Sequence, residues 1–213
     1  MESIERKGLG ILLLCILSVV LACSSYKADK HYRNGISFQN NGEISKAVDE
    51  YSRTLHFDPT HLDARMARAS LYESQESWEK AISEYEAVLA ANPAALDAEY
   101  NLGTIYRRLN HWDEAVKYYN NVITKDSGNA ESYYWLGWIY KKRQENNKAM
   151  EAFTKAVTIN EGFSQAHYQL AVLLFIDGKF EQAKKHAESA QKDCPQSQKL
   201  LSLIEEETKE SKG

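Results

Sequence analysis

The stretch LGTIYRRLNHWDEAVKYY, residues 102–119, sets Leu102 beside Gly103 and Tyr106 three positions on, then Ala115 and Tyr119 four apart beyond Asn110-His-Trp112. Spacings of three and four put side chains on one face of a helix, so the stretch reads as two helices joined by a short turn. The pattern recurs along the chain. Ala47, Ala81, Ala115, Ala149 and Ala183 follow one another at intervals of 34 residues. An aromatic stands four positions later at Tyr51, Tyr85, Tyr119 and Phe153, and a large apolar residue nine positions earlier at Phe38, Tyr72, Tyr106, Tyr140 and Leu174. Three positions before that come Gly35, Ala69, Gly103, Gly137 and Ala171. Small residues at a crossing let two antiparallel helices approach closely, and the aromatic one turn away fills the space beside them. Gly42-Glu-Ile44 and Gly178-Lys-Phe180 read as helix breaks in the same register as Asn110-His-Trp112. One hairpin cannot bury its apolar face alone, so the units must stack on one another.

Pro59, Pro93 and Pro195 close three of the units, because the residue before proline avoids helical geometry, and Ser127-Gly128-Asn129 stands at the end of another. This set of positions resembles the tetratricopeptide repeat. The resemblance implies an all-α fold, an α-solenoid: a right-handed superhelix of five hairpins at 28–61, 62–95, 96–129, 130–163 and 164–197. Leu200, Leu201, Leu203 and Ile204 then predict a capping helix in 198–213, fraying beyond Thr208. Glu205, Glu206 and Glu207 read as its solvated face or as an acidic tail for a partner. Asn34 and Arg68 stand where later units carry Leu102, Leu136 and Leu170, which predicts looser packing in the first two units. There the expectation is polar filling, with the stem of Arg68 along apolar neighbours; the alternative is that Arg65 and Arg68 attract an acidic partner.

The 213 residues carry a formal charge of -4, a composition against nucleic acid, which needs a clustered cationic face. Only 3 Pro and 10 Gly interrupt a chain of helix formers. At its front, Arg6 and Lys7 precede fourteen uncharged residues, Gly8 to Leu21, a block that is short for a bilayer span and fits a signal peptide at 1–22. Val20-Leu-Ala-Cys23 resembles the lipobox of bacterial lipoproteins, which implies acyl chains, palmitate among them, on Cys23. A plain signal peptide or an uncleaved anchor is the other reading. Under the lipobox reading 23–27 is a short tether to the membrane, the protein is held in the cell envelope, and Ser24 favours the outer membrane, facing the periplasm. Cys15 leaves with the signal and Cys194 stays a free thiol in a turn.

No phosphate-cradling glycine loop, HExxH, nucleophile elbow or paired-cysteine motif is present, so neither an enzyme nor a cofactor is expected. His56 and His61 flank Pro59 without sharing a helical face, a poor metal pair. The carboxylates are expected on outward faces. In tetratricopeptide proteins the first helix of each unit lines a groove, which carries over to Tyr32, Met66, Tyr100, Tyr134 and Tyr168 at the fifth position. Trp138, Val172 and Phe175 with Arg107 and Lys141 join at the ninth and twelfth positions, bordered by Asn101 and Trp135. The tyrosines read equally as inter-repeat packing. Arg107-Arg108 and Lys141-Lys-Arg143 stand one unit apart and predict a basic rim for acidic peptide or helix segments. The expected function is a non-catalytic scaffold for envelope proteins, with two alternatives: a factor like the type IV pilus pilotins, which act on secretins, or a self-associating structural protein.

Overall fold

The computed structural model describes residues 22–210. The apolar block Gly8–Leu21, with the signal peptide and Cys15 read there, lies outside the described residues, as do 211–213. Contacts divide the chain into two compact units, 1–98 and 99–213. The first holds α1 through 22–40, α2 (Ile44–Phe57), α3 (Leu62–Ser74) and α4 (Trp78–Ala91). At the boundary begins α5 (Leu96–Arg108), and the second unit continues with α6 (Trp112–Lys125), α7 (Ala130–Lys142), α8 (Asn146–Ile159), α9 (Ser164–Ile176), α10 (Phe180–Ala190) and α11 (Gln196–Glu210). No strand occurs among the described residues, and no helix there is long and apolar enough to cross a membrane.

The hairpin turn has the same backbone solution in each unit. Gly42, Glu76, Asn110, Gln144 and Gly178, at intervals of 34, all have positive φ. This left-handed residue after the first helix reverses the chain and lets the next amide bond back, as Glu43 N–H does to Phe38 O at 2.8 Å. The end of the second helix is equally regular. Asp58, Asn92, Asp126 and Asn160 each accept the backbone N–H two residues on, at 2.9 to 3.1 Å. Asp58 and Asn92, each before a proline, have departed from helical geometry as expected, and the Asx turn is what they share with Asp126 and Asn160, where no proline follows. The Ser127-Gly128-Asn129 segment follows the same rule through Asp126. Asn129 instead caps α7, accepting from Ser132 N at 2.9 Å.

Within a hairpin the aromatic of the second helix closes on the small residue of the first. Tyr51, Tyr85, Tyr119 and Phe153 are all buried. A Cβ added at Gly35 would meet Tyr51 Cε1 at 2.5 Å, at Gly103 Tyr119 Cε1 at 3.0 Å, and at Gly137 Phe153 Cδ1 at 2.8 Å. Each buried ring contributes about 1.5–3 kcal/mol, and the glycine permits the approach that buries it.

Three expectations are corrected. Ser24–Lys27 is helical rather than an extended tether, because Phe57 at the end of α2 gives α1 a surface to dock on. Ser24 Oγ donates to Phe57 O at 2.7 Å, and His31 stacks on the Phe57 ring at 5.6 Å. Not all carboxylates face outward: Glu50 and Glu99 are buried, each held by cations or amide donors. The polar filling expected at Arg68 is ionic in kind: Arg65 and Arg68 both pair with Glu84, and Arg68 also donates to Ser52 Oγ at 3.0 Å. On α11, Leu200, Leu201 and Ile204 are buried while Leu203 lies exposed, since α11 packs on α10 and α9 along one stripe only. The helix continues through Thr208 to Glu210.

Candidate protein-binding site

The aromatic residues read as a groove sort into packing and site. Tyr32, in the first unit, stands 5.9 Å from Tyr51 and 4.5 Å from the ring of His61. Tyr100 meets Tyr119 at 5.8 Å edge-on, and Tyr134 lies 5.7 Å from Phe153. The fifth-position tyrosines thus lean on the buried ring of their own hairpin, and all three are half-buried. Burial pushes the Tyr32 and Tyr134 hydroxyls upward in pKa, as it does for Tyr119, where bonds from Thr104 and Arg107 oppose it. Tyr168, Val172 and Phe175 pack on the core formed by α8 to α11, with Phe175 5.6 Å from Phe180. Met66 and Asn101 are also half-buried.

The second unit brings the rest together. The guanidinium of Arg107 lies 3.8 Å over the Trp135 ring and 5.7 Å from that of Trp138. Trp135 is oriented by its own N–H, which donates to the Tyr100 hydroxyl at 3.0 Å. Trp138 lies 5.7 Å from Trp112 and has Lys142 Nζ 5.1 Å from its ring. Arg107 Nε is buried without a hydrogen-bond partner. Lys141 donates to Gln169 Oε1 at 2.7 Å. Trp138, Lys141, Lys142, Gln144 and Gln169 line a cavity of about 420 Å³. Burial, and then the charge of Lys142, holds the Lys141 ammonium below its ordinary pKa.

The charge around this cavity is one-sided. No carboxylate among the described residues lies within ion-pairing distance of Arg107, Lys141 or Lys142, whereas Arg143 is taken by Asp113 at 2.6 Å. The basic rim expected from Arg107 to Arg143 is therefore divided: Arg107 is stacked on indoles, Arg143 is neutralised, and Lys141 and Lys142 face the cavity. Gln169 was not anticipated. Its signal was its register, 34 residues after Trp135 and 68 after Asn101. His61 Nδ1 accepts from Ala64 N at 3.2 Å as a helix cap, and His56 packs edge-on against Phe57. Among the described residues no group of three or more His, Cys, Asp or Glu side chains is placed to hold a metal.

Comparison with known proteins agrees with this architecture. Residues 32–95 and 72–131 match tetratricopeptide repeat families, and 108–190 match subunit 3 of the anaphase-promoting complex, cyclosome. No curated protein matches in sequence. Among solved structures, a crystal structure of MamA is 23% identical, with 74% of this chain and 92% of that one covered and a TM-score of 0.68. The Pseudomonas aeruginosa pilF structure is 18% identical over 87% of both chains, with a TM-score of 0.72. YrrB, described as a TPR protein with an unusual peptide-binding site, is 19% identical over 82% of this chain and 90% of that one, at 0.65. With the 34-residue register of turns and buried rings, these matches establish that the chain belongs to the tetratricopeptide-repeat family.

Proposed function

We propose that this chain is a non-catalytic scaffold that captures segments of other envelope proteins through its second unit, and that a lipid on Cys23 holds it to the outer membrane. The observation that carries the reading is the cluster of Arg107, Lys141 and Lys142 around Trp135 and Trp138 without a carboxylate of their own. Tetratricopeptide solenoids are protein-binding folds, and aromatic anchors beside cations suit an acidic peptide or helix. Cys23 is exposed, as an acyl acceptor requires.

The test is a photo-crosslinker at the exposed Lys142 in native membranes, read by mass spectrometry. A discrete envelope protein captured there, and lost when Trp138→Ala is added, supports the reading. Capture that is indifferent to Trp138 moves the site elsewhere, and capture of this chain alone makes self-association its role. The narrower role, secretin assembly in the manner of pilotins, is supported by the expected anchor in front of the repeats. It requires that deleting the protein deplete secretin multimers from the outer membrane.

A further inference from the structure

Within the second unit, Lys141 is the cation whose situation is least ordinary. Its ammonium is half-buried, repelled by Lys142 on the same helix, and satisfied through a neutral acceptor, the Gln169 side-chain carbonyl at 2.7 Å. A half-buried ammonium is normally matched by a carboxylate, because a neutral carbonyl returns less of the lost hydration. Two clusters in this chain show such matching: Glu84 answers Arg65 and Arg68, and Glu99 answers Lys125. At Lys141 the carboxylate is missing and open space adjoins it.

We propose that this cavity is a reader of one acidic side chain on the captured partner, with Gln169 as a resident stand-in for the incoming carboxylate. The glutamine carbonyl is planar and sp², with the geometry of one arm of a carboxylate, so the occupant that displaces it from Lys141 has the same shape and a full negative charge. Lys142 adds charge at the rim and the Trp138 ring supplies an apolar wall, so an aliphatic neighbour of the acidic residue packs on the indole. Half-buried Arg107, whose buried Nε has no hydrogen-bond partner, adds positive potential 5.7 Å from that ring. This differs from a clamp on a chain terminus: the reading unit is a side-chain acid next to an apolar residue. It rests on the capture reading above and adds the partner's chemistry to it.

The test uses the full chain in detergent and an end-blocked peptide carrying alternating leucine and glutamate, with a glutamine version as its control. Tighter binding of the acidic peptide by about tenfold is expected, since a charged hydrogen bond is worth that much. Gln169→Glu is the decisive variant. It differs by one atom, gives Lys141 an internal partner, leaves thermal unfolding unchanged or raised, and should abolish the acidic peptide's advantage. Lys141→Met should abolish it too. Equal binding of the two peptides, or an advantage that survives Gln169→Glu, overturns the proposal. Equal competition by inorganic phosphate at constant ionic strength also overturns it, as a site for small anions. Should the peptides fail while the Lys142 crosslink still captures a partner, the acid-reading pocket falls and the scaffold stands; should both fail, both fall.

Discussion

At the residue scale, the turn register shows where local cost is tolerated. Five positions need a left-handed backbone, yet only Gly42 and Gly178 are glycine. Asn110 adopts it with modest penalty, whereas Glu76 and Gln144 carry a Cβ into a region that costs an ordinary residue roughly 1–2 kcal/mol. Glycine's extra freedom in the unfolded chain takes back roughly 0.5–1 kcal/mol. Glu76→Gly should therefore stabilise the first unit by about 0.5–1 kcal/mol, read as a higher denaturation midpoint without a change in slope. A fall in midpoint would mean that the Glu76 side chain earns more through its surroundings than its backbone loses. Nothing in the sequence distinguishes Glu76 and Gln144 as turn residues by type. Their place is visible only by counting 34 from Asn110, because the tertiary register imposes the turn and overrides propensity.

At the scale of helices, the apolar register was legible because a period of 34 in alanine, glycine and aromatic residues has one economical packing. The polar pairings were not legible. Glu50, bonded by His31 at 2.8 Å, Asn34 at 3.2 Å and Arg53 at 2.6 Å, is buried, and its carboxyl is held below its ordinary pKa. Burial alone would raise it, and the bonds from His31 and Asn34 overcome that. Such contacts join residues 16 or 19 positions apart, and composition cannot separate a carboxylate that bridges two helices from one that faces solvent. The same holds for Gln169. Glu84→Ala, which leaves Arg65 with Pro59 O and Arg68 with Ser52 Oγ as their remaining acceptors, should cost about 1–3 kcal/mol. Adding Arg68→Leu with tyrosine at 84, the residue types found at Leu102 and Tyr118 in the next repeat, should recover most of it; recovery by neither would show that Arg65 carries the network. Between α9 and α10, His167 Nε2 donates to Glu161 O at 3.1 Å, so its Nδ1 accepts from His186 Nδ1 at 2.9 Å. Burial first, then His167 and Lys185, depress the His186 pKa below 6.5. The unfolded chain thus takes up this proton at a higher pH than the folded one, so the contribution is complete above pH 6.5 and is lost as pH falls below it. His186→Gln, which keeps a donor without titrating, should flatten that limb of the stability profile; an unchanged slope would assign it to other groups.

For the whole molecule, the question is where the proposed lipid on Cys23 would meet the folded body. The candidate cluster belongs entirely to the second unit, while Cys23 belongs to the first, so the proposed attachment and the proposed capture are separable by mutation. Helix α1 is already docked by the residue after Cys23, through Ser24 on the Phe57 carbonyl, with Lys27 5.2 Å from the Phe57 ring and Ala28 buried. One residue reaches about 3.5 Å at most, so a lipid on Cys23 would press the first unit to the bilayer with almost no slack. Two acyl signals are needed for stable anchoring, since one chain binds a membrane only marginally. Cys23→Ala should then move the protein from the detergent phase to the aqueous phase on phase separation, and remove the acyl mass from the mature chain. Helicity and the acidic-peptide affinity of the second unit should be unchanged. Continued partition into detergent, with the intact mass of the unprocessed chain, would show instead that the apolar block Gly8–Leu21 is the anchor and that Cys23 carries nothing.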